Sequence, residues 1–250
     1  VKQKKTISRL ISFLILGFLT LTFTSCSKTE QYQSIPLSAY YPLQTGKYID
    51  YQIDSLVYYA FGTRDTTISY QVRYQTDSLI QDNLGRPAYR IFRFIRKNEN
   101  ENWTPDATFM AISTNNQVEF IENNMRFIKL KEPLLIGFSW KGNAFIDTYS
   151  AFSPVRYLDN WDYTYESVGQ PETINGNTLN QCVSIQQRDE IIGLPDQPDS
   201  YSEINFSKEI YAKDIGLVYR KFNHKEYQPN NGGYVAEGSY GVTLTMIDHN

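Results

Sequence analysis

From Tyr40 onward apolar and polar residues alternate with a period of two, and this pattern limits what the chain can fold into more than any other. In "ISYQVRYQ", Ile68, Tyr70, Val72 and Tyr74 alternate with Ser69, Gln71, Arg73 and Gln75. In "YIDYQIDSLVYYAF", Ile49, Tyr51, Ile53, Val57, Tyr59 and Phe61 share one face, and Asp50, Gln52 and Asp54 take the other. Successive strand side chains point to opposite faces, so the pattern predicts antiparallel strands with one buried and one wet side. No long apolar run at helical spacing follows. The expected fold class is all-β, mainly antiparallel: a curved or twisted sheet, half-barrel or sandwich-like, with little helix and a single domain over residues 40–250.

The breaks between alternating runs carry hairpin chemistry. Asn123-Asn124 separates "VEFIE" from "MRFIKLK", Asn175-Gly176 follows "YTYESVGQPETI", and Asn231-Gly232-Gly233 interrupts the last part of the chain. These residues accept the positive φ that tight hairpins demand. "GLPDQPDS", 193–200, reads as a surface loop. "YPLQTGKYI" at 41–49 and "EPLLIGFSW" at 132–140 share Pro-Leu-x-x-Gly before an aromatic. They read either as two similar turns feeding strands or as the mark of a duplicated half-domain. At the other end of the domain, Tyr240, Val242, Leu244 and Met246 alternate with Gly241, Thr243 and Thr245. This predicts a paired strand whose apolar set faces the same core as Ile49, Tyr51 and Ile53.

The first residues have another character. Lys2, Lys4, Lys5 and Arg9 are followed by the 14-residue apolar run Leu10–Phe23, then Thr24, Ser25 and Cys26. That order is a charged region, an apolar region and a small-residue cleavage site, and the run is shorter than the roughly 20 residues a helical span requires. Phe23-Thr24-Ser25-Cys26 resembles the lipobox of bacterial lipoproteins, with Phe where Leu is commoner. The resemblance implies cleavage before Cys26 and acylation of its sulfur and new amino terminus; an ordinary secretory signal or an uncleaved anchor is the alternative. Several acyl chains anchor stably where one does not. The expected division is thus 1–25 signal peptide, 26–39 lipidated polar tether and 40–250 β domain, with the lipid bilayer a partner through Cys26.

Removing residues 1–25 takes away four cations and no acid, so the net charge of −3 becomes −7. With no basic cluster to offset it, this excludes nucleic acid as the expected partner. Of the two cysteines, Cys26 is assigned to lipid, which leaves Cys182 in "NQCVSIQQ" as a small buried hydrophobe of a strand. His224 and His249 are the only histidines, and neither lies in a metal-binding spacing. No nucleophile-elbow or phosphate-loop pattern occurs, so no cofactor, metal or catalytic residue is assigned. "YLDNWDYTYE" gathers Asp159, Asp162 and Glu166 among aromatics, the residue types a glycoside hydrolase needs, though acidic sheet surfaces look the same.

Twenty Tyr, fourteen Phe and three Trp make up 15% of the chain, enough to line a core and leave some for contact. Trp103, in "NENENWTPD", and Trp161, in "LDNWDY", sit among polar residues and are the expected contact aromatics, with Asp159 and Asp162 beside the second.

"YYPLQTGKYIDYQID", "YAKDIGLVYRKF" and "GSYGVTLTMIDHN" resemble uncharacterised lipoproteins of the Bacteroidota cell envelope. The resemblance implies a lipid-anchored address, outer membrane on its periplasmic face or at the cell surface, and β architecture. It supplies no catalytic residues. It also implies that Lys28 and Glu30, close after Cys26, serve as a surface-export signal, against which stands a merely polar tether.

Three functions remain: a noncatalytic binding or adaptor module for an envelope protein or glycan, a carrier or chaperone of lipid-like ligands in a sheet cavity, and a glycan-active enzyme using Asp or Glu. The first is the expectation. A filled or hollow interior separates the first two, and a facing carboxylate pair marks the third.

Overall fold

The structure, a computed structural model, describes residues 35–195 and 197–250. Cys26, Lys28 and Glu30 lie outside the described residues, as do the expected signal peptide and most of the expected tether. The described chain is nearly all antiparallel β, as the alternation predicts. A four-residue helix, α1 (Leu37–Tyr40), precedes a first run of strands: β1 (Tyr48–Tyr59), β2 (Arg64–Gln81), β3 (Pro87–Arg96), β4 (Thr104–Ser113), β5 (Gln117–Glu122) and β6 (Met125–Lys131). The second run is β7 (Ser139–Lys141), β8 (Asp162–Ile174), β9 (Asn177–Gly193), β10 (Ser202–Ala212), β11 (Gly216–Gln228), the short β12 (Tyr234–Val235) and β13 (Tyr240–His249).

Each run is a meander, and β1 pairs with β13 to join them in the order β6-β5-β4-β3-β2-β1-β13-β11-β10-β9-β8-β7, with β12 added to β11. The sheet curls until β6 and β7 meet. There the Ile128 N–H donates to the Gly142 carbonyl (2.8 Å) and the Trp140 indole to the Ile128 carbonyl (2.8 Å). The Tyr165 hydroxyl donates to the Lys131 carbonyl (2.9 Å) and accepts from its N–H (3.0 Å). These contacts, one through the backbone and the others through side chains, bring the two edges together, and the result is a nearly closed barrel.

The hairpin signals fall where expected. Asn123 and Asn124 (φ 51° and 61°) link β5 to β6, and Asn175 and Gly176 (φ 49° and 79°) link β8 to β9, both with the two positive φ values that match strand twist. The two Pro-Leu-x-x-Gly stretches feed β1 and β7, the first strand of each meander, with matching hydrogen bonds. Gly46 (φ 88°) donates to the Thr76 carbonyl and Lys47 accepts from the Thr76 N–H; Gly137 (φ 82°) donates to the Tyr165 carbonyl and Phe138 accepts from the Tyr165 N–H. After each contact the ladder slips by one residue, at Asp77 and at Glu166. The echo is therefore a repeat of local structure as well as of letters.

The terminal alternation forms as read from Val242 to Met246, while Tyr240 at the start of the strand is 40% exposed. β13 lies between β1 and β11, Met246 opposite Tyr51 and Leu244 opposite Ile53, and these four share one buried cluster. Two further details differ. Tyr59, Phe61 and Ile68 are exposed, Phe61 at 98%, because the β1–β2 hairpin runs on past the barrel wall and its outer part meets no core. Asp50, placed by alternation on the wet face, is buried, since Arg73 on β2 grips it through two hydrogen bonds (2.7 and 2.8 Å) and shields it from water.

Packed structure is also present before residue 40, at the end of the expected tether of 26–39. Leu37 and Tyr40 are buried in the cluster that holds Leu130, Trp140, Tyr165 and Tyr211, and the Asp214 N–H donates to the Ala39 carbonyl (2.6 Å). Two apolar residues three apart on one helical turn suffice to anchor the segment there. We call this the near end of the barrel; the opposite end carries the β1–β2 hairpin, the β9–β10 loop and the long 142–161 connection.

Candidate functional site

The 142–161 connection turns back onto the open far end. It is tied down by Asn143, which donates to the Leu158 carbonyl (2.9 Å) and accepts from the buried Tyr163 hydroxyl (2.9 Å). Leu158 and Trp161 fill the mouth, and the Trp161 indole donates to the Tyr157 carbonyl (2.7 Å). Trp161 is 2% exposed, which corrects the expectation of a surface contact residue: apolar neighbours cover its ring, and it lines an interior cavity.

Inside, a layer of charge crosses the barrel. Glu209, fully buried, accepts from Lys129 Nζ (2.7 Å) and from the Tyr211 hydroxyl (2.7 Å), with Arg220 Nε at 3.6 Å; Arg220 also donates to Glu122 (3.1 Å). Burial alone would raise the Glu209 carboxyl, but Lys129 and Arg220 together outweigh it and hold it below the ordinary carboxylate range. On the near side of the layer a cavity of about 60 Å³ remains, and on the far side one of about 280 Å³. The larger includes Gln187, 2% exposed, whose Nε2 has no hydrogen-bond partner among the described residues.

Beyond Tyr157 the concave face continues as an open groove of about 740 Å³. Three strands build its floor with residues at every second position: Arg188, Glu190 and Ile192 on β9, Glu203 and Asn205 on β10 with Tyr201 just before it, His224 and Glu226 on β11. Cross-strand register sets Asn205 beside His224 and Glu203 directly opposite Glu226. Directly opposed like charges destabilise a sheet, yet neither carboxylate has an ion-pair partner among the described residues. Glu203 accepts from the Tyr201 hydroxyl (3.0 Å) and Asn205 Nδ2 (2.7 Å), and Glu226 from Gln228 Nε2 (2.7 Å).

His224 is 6% exposed and lies flat on the Tyr157 ring, centroids 3.8 Å apart. Its Nδ1 is 2.7 Å from Asn205 Oδ1. Because the Asn205 amide nitrogen is committed to Glu203, its oxygen must face the imidazole, so Nδ1 carries the hydrogen and Nε2 keeps a lone pair. Nε2 makes no hydrogen bond among the described residues. Burial lowers the imidazole pKa against the upward pull of Glu203 and Glu226, which keeps the ring neutral at pH 7. Glu203, Asn205 and His224 thus form a chain that presents an acceptor.

Of the residues singled out in the sequence, Asp159 stands in this groove and accepts from the Thr148 hydroxyl (2.7 Å). Asp162 does not line it. The backbone reverses at Asn160 (φ 57°), and Asp162 begins β8 paired with Lys141 (2.9 Å). Glu166 pairs with Lys208 (2.6 Å). Trp103 lies away from the groove, half-buried against the guanidinium groups of Arg96 (4.3 Å) and Arg73 (5.1 Å). Cys182 is a buried free thiol whose pKa burial raises, as expected of a packed strand residue. Among the described residues no three His, Cys, Asp or Glu side chains converge to share a metal ion, and no helix is long and apolar enough to cross a membrane.

Sequence reasoning missed Glu203, Asn205, His224 and Glu226. The signal was there in inverted form: along β10 the polar set Glu203, Asn205, Ser207 and Glu209 alternates with Ile204, Phe206 and Ile210, and it is the polar set that lines the groove and cavities.

No protein-family model matches the chain, and no curated protein does. Among solved structures it is similar to a presumed exported protein with a YmcC-like fold from Bacteroides fragilis, at 8% identity and TM-score 0.40, over 82% of this chain and 97% of that one. It is also similar to a DUF1329 family protein from Desulfovibrio piger, at 10% identity and TM-score 0.20, over 84% and 88%. At these values neither likeness says what the chain binds.

Proposed function

We propose that this chain is a lipid-anchored binding module of a bacterial cell envelope, which holds a partner or glycan at the far end of its barrel without transforming it. The groove carries the reading: a concave floor of hydrogen-bond acceptors, with an oriented and unengaged imidazole nitrogen, at the end of the barrel opposite Ile35. Of the carboxylates that the sequence gathered for catalysis, Asp162 is engaged by Lys141 and Glu166 by Lys208, and Glu203 and Glu226 stand side by side on neighbouring strands rather than on opposite walls of a cleft. A carrier of lipid-like molecules would need more room, since ligand chambers usually measure about 300–1,000 Å³ and the interior cavities here are about 60 and 280 Å³.

Two measurements test the reading. Fatty-acid labelling of cells expressing the chain should be lost with Cys26→Ser; unchanged incorporation would remove the anchor. A thermal-melt screen of the purified protein should find groove ligands that raise Tm with concentration, as binding to the native state requires, while incubation with the same glycans returns them intact. Turnover of a glycan that Asp159→Asn abolishes would replace binding with catalysis.

A further inference from the structure

The charge and hydrogen-bond polarity of the groove narrow the class of ligand, on the premise that it is a binding site. Its carboxylates are Asp159, Glu190, Glu203, Glu226 and Glu237 and its cations Arg156 and Arg188, so it carries a net charge of −3. Arg188 is used up by Glu190, to which it is bidentate, while the other four acids have no ion-pair partner among the described residues. Two of these four, Glu203 and Glu226, directly oppose each other across the β10–β11 ladder. Beside them stands the lone pair of His224 Nε2, on a side chain 94% buried by its 6% exposure, with no donor to meet it among the described residues. All three groups accept hydrogen bonds and none donates. The walls add the aromatic faces of Tyr201 and Tyr149, the latter 81% exposed, on which a cation can rest. The carboxylates are also spread along the groove rather than gathered at one point, as the absence of any metal-holding cluster among the described residues shows.

We propose that the groove binds an organic polycation. One ammonium or guanidinium group sits between Glu203 and Glu226 and donates to His224 Nε2, and a second lies toward Asp159 and Glu237. A compact metal ion can engage only one part of this array, and an anion meets four unpaired carboxylates against Arg156 alone. A chain of spaced N–H donors satisfies both the opposed carboxylates and the free nitrogen. The same chemistry is offered by a free polyamine and by the lysine or arginine side chains of a peptide segment.

Calorimetric titration of the purified full chain in about 50 mM salt, with spermidine in one arm and trilysine in another, decides the matter; triglutamate is the control. Saturable binding of either cation supports the proposal, and which arm binds tells a small polyamine from a basic peptide. Raising the salt to about 0.5 M, where the screening length drops from roughly 14 to 4 Å, should weaken binding at least tenfold. Glu203→Gln and Glu226→Gln keep the side-chain shape and should each cost about tenfold in affinity. Each should also raise the Tm of the free protein, because the like-charge opposition is relieved. His224→Gln should weaken binding as well, and a variant of it that fails to fold leaves the two Glu variants to decide. Failure of both cations to bind up to about 5 mM, or binding undiminished in the Glu203→Gln, Glu226→Gln double variant, overturns the proposal. If the cations fail while a neutral oligosaccharide binds and is lost in the Glu203→Gln variant, the polycation falls and the binding function stands. If nothing engages the groove, both fall.

Discussion

Glu209→Leu removes the carboxylate at the centre of the charged layer and offers a direct test of how the barrel tolerates ions in its interior. Arg220 keeps Glu122 at 3.1 Å, but Lys129, with only 5% of its side chain exposed, loses the one carboxylate that pairs with it among the described residues. An uncompensated buried charge costs about 3–5 kcal/mol, against a domain's whole net stability of about 5–15 kcal/mol. With a urea m-value of about 2 kcal/mol/M, the midpoint should fall by roughly 2 M at unchanged m. Lys129→Met in the same chain removes the stranded charge. The double variant should recover to within about 1–2 kcal/mol of the parent, so that the second substitution restores about 2–3 kcal/mol. A second readout follows from pH. The Glu209 carboxyl is held lower in the folded chain than in the unfolded one, so its contribution is complete above the unfolded pKa near 4.3 and is lost as pH falls through the folded value. The parent should therefore lose stability below about pH 4 more steeply than the double variant. A single variant within about 1 kcal/mol of the parent, or a double variant as unstable as the single, would refute the claim that Lys129 depends on Glu209.

Deletion of residues 240–250 removes a strand paired on both sides and should leave the protein unfolded or aggregated; a deletion variant that stays monomeric with its β-sheet circular dichroism and Tm intact would show β13 to be dispensable. The Cys182 thiol should resist a thiol reagent in the native protein and react within seconds once denatured, whereas rapid native labelling would contradict its burial. Gly62→Ala should destabilise by about 1–3 kcal/mol, since the added Cβ would lie 1.9 Å from the Val235 carbonyl oxygen on a residue at φ 77°; a neutral urea titration would show that the β1–β2 tip does not dock on β12.

The strands and their turns could be read because they are local. Alternation over eight residues fixes a face, and Asn123-Asn124 or Asn175-Gly176 fixes a register, whatever the rest of the chain does. The burial of Asp50 could not be read, because it depends on Arg73, 23 residues away and brought alongside only when β1 pairs with β2. Trp161 was legible as an aromatic among charges but not as buried, since the 142–161 connection has no period, and only its anchors, Asn143 and Tyr163, turn it inward. The groove was lost for a third reason. Reading apolar as inside is right for β13 and β1 and inverted for the first part of β10, where Glu203, Asn205 and Ser207 line the interior space while Ile210 further along joins the buried cluster. His224 and Asn205 lie 19 residues apart and become partners only through the β10–β11 register.

The joining of the two meanders by β1 and β13 also bears on how the chain finds its fold. Every other neighbouring pair along the path, from β6 round to β7, links strands that follow one another in sequence, apart from the short β12 inserted between β11 and β13. Such pairs can form by hairpin zippering within each half. Bringing Ile53 to Leu244 closes a loop of roughly 190 residues, at an entropic cost of about 5 kcal/mol, where a hairpin of about 20 residues costs about 3 kcal/mol. The β1–β13 pairing is thus the costliest contact to reach and, with Tyr51, Ile53, Leu244 and Met246 in one cluster, among the most apolar once made. Folding should be limited by the meeting of two preformed halves, so that mutations at this joint slow folding while those within a hairpin chiefly speed unfolding.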